Sequence, residues 1–417
     1  MHNEECGMAC MYDFAIIGGG ILGTALAYQL SKESDGTKIA VLEKENEVAQ
    51  HTSGRNTGVL HRPFYLDPET KGKFARCAQE SYGFWKEYAR AKGLPWKEVG
   101  TLEAALDDIE YARLKKYKDW SLQNGMADEE ARLLSAEEVR TIEPKVRCVG
   151  ALLCSTDTAV DFGAFTRALR DDAKQQGVQF IMGKAVNRVR ENHTGIEIEC
   201  GDGEITRTRY LINCAGGSAL KIAHWMGVAR DYADLNFRGE YLIVGGASAR
   251  LASRNIYCVP RHSEFSFLDP HFVVRHDGRT EIGPTAVPVF GAYAYRGLGK
   301  VWSKIAERPV INKLRLCVNP EFLRLCAQEW RSVLSPRAMV SRVQKFLPDL
   351  RVEDCVTRGT AGVRASLVDQ KGQFVPEVVE VQTAHSLHIL NYNSPGASGA
   401  PAYAKEIMRY LQKGDAV

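Results

Sequence analysis

Tyr12-Asp13-Phe14-Ala15-Ile16-Ile17 runs straight into Gly18-Gly19-Gly20-Ile21-Leu22-Gly23, and this stretch decides the fold. Its first half is a short apolar run of the kind that forms a strand buried on both faces. The glycines follow the spacing Gly-x-Gly-x-x-Gly, and Ala25, Leu26, Tyr28, Gln29 and Leu30 continue at helical spacing. A second apolar run, Lys38-Ile39-Ala40-Val41-Leu42, ends at Glu43. Each part has a mechanical reason. Gly18 permits a tight turn, Gly20 lets the backbone approach a phosphate, and Gly23 lets helix and strand pack closely. A pyrophosphate then sits at the helix start, beside Ile21 and Leu22, where N–H groups and the helix dipole favour negative charge. Glu43, with Lys44 beside it, lies twenty residues beyond Gly23, where a carboxylate can accept from ribose hydroxyls. Strand, glycines, helix, strand and acid together predict a unit that binds a dinucleotide.

The rest of the chain sets the bounds. Its 417 residues exceed one typical hydrophobic core, so two domains are expected. Hydrophobic residues at 45% and charged residues at 25% are the balance of an ordinary soluble globular chain. A net charge of +3 is too small to make nucleic acid the main partner. No apolar run approaches the roughly 18 residues of a membrane-spanning helix. Met1 to Cys10 include Glu4 and Glu5 and lack an apolar segment, which argues against a secretory signal. The 11 cysteines are scattered without a Cys-x-x-Cys pair, which suits reduced thiols and a cytoplasmic location. No cluster of His, Cys or carboxylates has metal-ligand spacing, so no metal site is expected.

Three later segments choose FAD over a nicotinamide. The first is the loop from Gln50 to His61, in which His51, Thr52, Ser53, Arg55, Asn56, Thr57 and Gly58 offer small and polar groups to a pyrophosphate and a flavin ring. The second runs from Gly177 through Val186 and resembles the flavoprotein strand whose backbone, near Val186, contacts the adenine. The third, Tyr210 to Gly217, is an apolar run ending in Ala215 and Gly216, suited to closing against the cofactor. A second Gly-x-Gly-x-x-Gly is absent, so the electron acceptor is expected to be something other than NAD(P): a quinone, oxygen or a carrier protein.

These segments resemble the D-amino-acid oxidase-like flavoproteins, and within them the L-2-hydroxyglutarate dehydrogenases and oxidases. The resemblance runs from about Tyr12 to Leu411. It is carried by His51 to His61, Gly150 to Cys154, Val160 to Thr166, Arg238-Gly239-Glu240-Tyr241, Gly283 to Val287, Gly362-Val363-Arg364-Ala365 and Asn393 to Ser398. Departures occur at Arg62-Pro63-Phe64-Tyr65, where the branch usually has small residues and a tyrosine pair, and at the extra glycines Gly396 and Gly399. The resemblance implies an FAD-dependent oxidation of an L-2-hydroxy acid, L-2-hydroxyglutarate to 2-oxoglutarate, by hydride transfer to flavin N5. The glycerol-3-phosphate dehydrogenases share a similar histidine loop, so that reaction stays open, as does amine oxidation. A reading of another class is a non-catalytic flavoprotein that docks a membrane or an electron-transfer partner.

The implied fold is α/β, a Rossmann-like FAD-binding domain interleaved with an antiparallel-sheet substrate domain. The first takes residues 12–95, 150–234 and 354–417, and the second takes 96–149 and 235–353. Glu240 to Val244 and His271 to Arg275 read as antiparallel strands, with a hairpin turn at Asp277-Gly278. Residues 301–351 read as a helical, basic segment. Its Leu314, Phe322, Leu323, Leu325 and Trp330 supply the apolar side, and its Lys and Arg residues form a solvated face or a peripheral membrane contact.

Oxidising a 2-hydroxy acid needs a base for the hydroxyl proton and cations that fix each carboxylate. His61 is the candidate base, because imidazole titrates near neutrality. Arg364 and Arg62 are the candidate carboxylate forks, and Arg238 either joins them or pairs with Glu240. Tyr65 and Tyr241 offer hydroxyls. Ser394, Pro395, Gly396, Ala397 and Ser398 lead into a helix expected over Pro401 to Gln412, whose N-terminus would favour a reduced, anionic flavin.

Overall fold

The computed structural model describes residues 11–33, 36–261, 265, 269–299, 315–316 and 318–412. The strand Tyr12–Ile17 lies inside a mixed eight-stranded sheet, parallel to Ile39–Leu42 on one side and to Ile205–Asn213 on the other. Its apolar run has no polar face because both faces are covered. Ile16 and Val41 point into one core with Leu26, Phe165 and Tyr403, among the helices Ile21–Glu33, Phe162–Gln175 and Gly396–Gln412. The intervening Ala15, Ile17, Ala40 and Leu42 join Ile196, Ile198 and Leu211 on the opposite side. Each fully buried aliphatic chain contributes about 1.5–3 kcal/mol, so the alternation stabilises both layers at once. Gln179–Ile181 extends this sheet beyond Ile39–Leu42, and Val186–Asn192 closes its other edge.

A second eight-stranded sheet holds Thr101–Ala105, Leu242–Val244, Asn255–Cys258, His271–Val274 and Thr280–Gly283. The hairpin at Asp277-Gly278 joins the last two as the sequence predicts, with Gly278 at φ +87°. Two strands fall elsewhere than the sequence boundaries put them. Gly150–Cys154 pairs with Thr101–Ala105 and Ala131–Ser135 in this second sheet, not in the dinucleotide sheet. Gly362–Val368 pairs with Ala233–Gly239, which also pairs with Val287–Val289, in a separate three-stranded sheet. An apolar run reports its burial, but it carries no mark of which sheet buries it.

The C-terminal helix starts at Gly396 rather than at Pro401, which lies inside it. A proline removes one helical N–H and crowds the preceding turn, which is why the sequence reading starts the helix at Pro401. The helix Gly72–Lys92 compensates: Ser81 Oγ accepts from Ala402 N at 3.0 Å, and Trp85 Nε1 donates to Ser398 O at 2.9 Å. The extra Gly399 belongs to the same contact, since a Cβ there would lie 2.9 Å from Cys77 Cβ.

In the segment 301–351 the helices Pro320–Leu334 and Pro336–Val343 are formed, while Lys304, Arg308, Lys313 and Leu314 lie outside the described residues. The basic face is less uniform than the sequence suggests. Arg342 is half-buried and held between Glu329 at 2.7 Å and Asp269 at 2.8 Å, and Leu323 is exposed. Among the described residues no helix is long and apolar enough to cross a membrane.

Candidate active site

The dinucleotide turn and the three-stranded sheet, through Phe237, Gly239, Val363 and Arg364, together wall a cavity of about 370 Å³. Every cofactor-binding residue predicted from the sequence lies in its wall except Gly23 and Gly396. Those two act from behind it. A Cβ on Gly23 would sit 2.1 Å from Gly18 O, and one on Gly396 would sit 2.9 Å from the Tyr392 ring. Gly18 itself stands at φ +109° with Cys214 O only 2.5 Å from where a Cβ would be, so both conformation and space require glycine.

The polar groups of the cradle are divided between bracing and facing the cavity. Glu43, on the wall, accepts from Gly19 N at 2.7 Å and Glu45 N at 2.9 Å. A carboxylate has about four lone-pair positions, so it can accept a ribose hydroxyl as well. Ser53 Oγ accepts from Ile21 N at 2.9 Å, and Thr52 Oγ1 donates to Val363 O at 3.1 Å. Asn56 braces its own loop, with Oδ1 accepting from Gly58 N and Nδ2 donating to Thr52 O and Ser53 O. His51 lies between Tyr295 Oη at 2.6 Å and Glu45 Oε1 at 2.9 Å, and burial with the Lys44 charge holds its imidazole below the usual range. A side chain on Gly216 would meet no protein atom within 4 Å, so there is open room beside that backbone. A glycine turn at a helix start, a wall carboxylate and open room beside small residues fit FAD. The Cys214 thiol, pushed up to about 12 by burial, is inert packing in this wall.

The His61 site is set by register. The short strands Val59–Leu60 and Thr158–Val160 are antiparallel, with Val59 opposite Ala159 and Leu60 opposite Thr158. One step further puts His61 against Asp157, and Nδ1 lies 3.0 Å from Asp157 Oδ2. Asp157 is fully buried and also accepts from Arg62 N at 2.7 Å and Thr101 Oγ1 at 2.7 Å. That carboxylate fixes the proton on Nδ1 and leaves Nε2 as the acceptor. The backbone N of His61 donates to Ser398 Oγ at 2.9 Å, which ties the histidine to the C-terminal helix. Nearby Glu103 is buried, and burial with the Asp157 charge pushes it up to about 8, so it stays protonated at neutral pH.

The two predicted arginines part company. Arg364 lies in the cavity wall, where burial lowers its pKa to about 10 and Tyr241 is its electrostatic neighbour. Arg62 does not reach the cavity. Its fork is closed on Glu130 at 2.7 and 3.1 Å, with Gln79 at 2.8 Å and the Tyr82 ring at 4.1 Å. The backbone at Arg62 is extended, at φ −81° and ψ 153°, so its side chain leaves on the opposite side from that of His61. Tyr241 reaches the wall with its hydroxyl 3.0 Å from Thr57 Oγ1. Tyr65 packs edge-on to His61 at 5.7 Å, outside the wall. Arg238 pairs with Glu240 at 2.8 Å and donates to Ala294 O at 3.2 Å, a structural role.

Sequence reasoning missed Asp157 and Tyr257. Asp157 sits in an unremarkable turn, 96 positions from its partner. Tyr257 packs edge-on to His61 at 5.9 Å and stacks on His271 at 3.7 Å. An amide at position 157 would set N–H donors against the N–H and O–H donors that Asp157 now accepts. Asp157→Asn is expected to lose about 2–4 kcal/mol of stability in urea unfolding. Its turnover is expected to fall by roughly 10- to 100-fold, because the imidazole loses its fixed tautomer. Wild-type turnover in the folded variant would refute the pairing.

Residues 13–410 match the family model described as FAD dependent oxidoreductase. The L-2-hydroxyglutarate dehydrogenase, mitochondrial, of Caenorhabditis elegans is 32% identical, over 95% of this chain and 92% of that protein. The L-2-hydroxyglutarate dehydrogenase of Escherichia coli (strain K12) is 28% identical, over 96% of this chain and 93% of its own. Among solved structures, dithionite-reduced L-alpha-glycerophosphate oxidase from Mycoplasma pneumoniae with FAD bound superposes with a TM-score of 0.76 at 22% identity, covering 97% of this chain and 95% of that one. That likeness is one of fold. With a cavity that fits the cofactor and a match over nearly its whole length, the chain belongs to the FAD dependent oxidoreductases, in the branch that holds the L-2-hydroxyglutarate dehydrogenases.

Proposed function

We propose that this enzyme oxidises L-2-hydroxyglutarate to 2-oxoglutarate. The observation that carries the reading is that a half-buried cation, Arg364, and a carboxylate-oriented histidine, His61, share one cavity wall with the dinucleotide turn. The relatives named above supply the choice of substrate. Arg364 holds the carboxylate beside the reacting carbon through its planar fork. His61 Nε2 takes the hydroxyl proton, and Asp157 stabilises the imidazolium that forms. FAD, which the dinucleotide turn and the loop from Gln50 to His61 would hold, would supply the two-electron acceptor for the hydride when bound. The Thr57 and Tyr241 hydroxyls, 3.0 Å apart, bound the same space and orient the substrate. With one dinucleotide turn in the chain, reoxidation falls to a quinone, oxygen or a carrier protein.

The test is anaerobic mixing of the yellow holoenzyme with L-2-hydroxyglutarate, its D-enantiomer, glycerol-3-phosphate and an L-amino acid. Bleaching is expected with the first alone. Bleaching by glycerol-3-phosphate instead would assign Arg364 to a phosphate and overturn the substrate reading.

A further inference from the structure

One segment that leaves the three-stranded sheet crosses to the dinucleotide cradle. Residues Phe290–Gly299 follow the strand Val287–Val289 and close on themselves, with Phe290 N donating to Leu298 O at 2.8 Å. Gly291, Gly297 and Gly299 stand at φ +127°, +62° and +82°, conformations that glycine adopts without strain. Arg238 anchors the base of this strap by donating to Ala294 O at 3.2 Å and to Gly297 O.

The tip of the strap is held by the cradle at separate points. Lys44 Nζ lies 3.2 Å from the centre of the Tyr293 ring, and Tyr293 Oη lies 2.7 Å from Ser218 Oγ. Tyr295 Oη lies 2.6 Å from His51 Nδ1, while the Arg55 guanidinium covers the Tyr295 ring at 4.3 Å. Ala292 comes so close to Gly217 that a Cβ there would be 2.3 Å from Ala292 Cβ. Lys44, His51, Arg55 and Ser218 all belong to the cavity wall, as do Ala292 and Tyr293 of the strap. The side chains beside the dinucleotide turn therefore spend their donors and charges on two tyrosines from a distant part of the chain. Such a closed loop can lift as a unit, because its ends are tied to each other.

We propose that this strap is a latch over the cofactor channel: FAD enters and leaves only when Tyr293 and Tyr295 have released Lys44, Ser218 and His51. The latch sets the rate of cofactor exchange, and the substrate reaction does not require it to open. A latch of this kind speeds both release and entry when weakened, whereas a residue that merely touches the cofactor speeds release alone.

The test follows yellow cofactor appearing in the filtrate after dilution of the holoenzyme, and FAD uptake by the stripped protein. Tyr293→Ala loses the Lys44 contact, the packing of its ring against the His51 ring at 4.4 Å and the Ser218 bond, and is expected to release FAD about 10-fold faster or more. Tyr295→Phe keeps its ring and loses only the hydroxyl at His51, with an expected acceleration of about 3-fold. Uptake is expected to accelerate in both variants. Release at the wild-type rate in both overturns the proposal, and so does faster release with uptake unchanged or slowed. If Tyr293→Ala proves unfolded by circular dichroism, the conservative Tyr295→Phe decides alone.

Discussion

Replacing His61 by alanine is expected to lower kcat for the hydroxy acid by about 10³-fold while the protein still carries its FAD. The magnitude is that of a positioned general base, roughly 10²- to 10⁴-fold. The cofactor is expected to stay because the contact that ties this residue to the C-terminal helix is made by the backbone N of His61, which alanine keeps. The fold is expected to survive as well, since Asp157 retains the Arg62 N and Thr101 Oγ1 donors. Anaerobic stopped-flow bleaching of the flavin isolates this step from reoxidation. Added imidazole is expected to restore part of the rate, because the space left beside Asp157 matches the ring that was removed. Unchanged bleaching in the variant would reduce His61 to a packing residue and move the base elsewhere.

Arg364→Met is expected to reduce kcat/KM by about 10²- to 10⁴-fold, mostly through KM. Two charge-assisted hydrogen bonds to a carboxylate, at about 1.5–3 kcal/mol each, account for that range. The same substitution has an opposite effect on the substrate-free protein. Burial lowers the Arg364 pKa to about 10, so folding opposes its charge. At neutral pH the group is protonated in both the folded and unfolded states, and the full desolvation penalty is present. It is relieved only as pH rises above about 10, where the folded state sheds the proton that the unfolded state still binds. Methionine fills a similar volume without that penalty, and Tm of the substrate-free holoenzyme is expected to rise by about 1–3 °C. The wild type should gain Tm on adding substrate and the variant should not. A variant with wild-type KM, or one that keeps the substrate-induced gain, would move the carboxylate site elsewhere.

The two arginines show where sequence reasoning stops. Arg62 follows His61 directly, and adjacency makes it look like a partner in the same site. Along extended backbone, however, consecutive side chains point to opposite sides, and Arg62 turns away to Glu130 at 2.7 Å. Arg364 comes from far along the chain, yet the pairing of Phe237 with Arg364 in the three-stranded sheet brings it to the wall. The sequence named both, Arg62 by its adjacency to His61 and Arg364 by its segment, and sheet pairing brings only Arg364 to the wall.

By itself the sequence determined the dinucleotide unit and the loop to His61. Their signals are local: the unit's apolar run, glycines at fixed offsets, helical spacing and acid fall within the first 43 residues, and the loop's small and polar residues fall between Gln50 and His61. Only the tertiary structure decided the rest. Asp157 meets His61 because two strands of 2 and 3 residues pair in one register and no other. Gly150–Cys154 joins the second sheet, and the Phe290–Gly299 strap reaches Lys44 and His51, because long-range packing chooses among partners that are equally apolar or equally polar in the sequence. Pairing across such distances is settled by the total burial and hydrogen bonding of the whole chain, and no short stretch carries that sum.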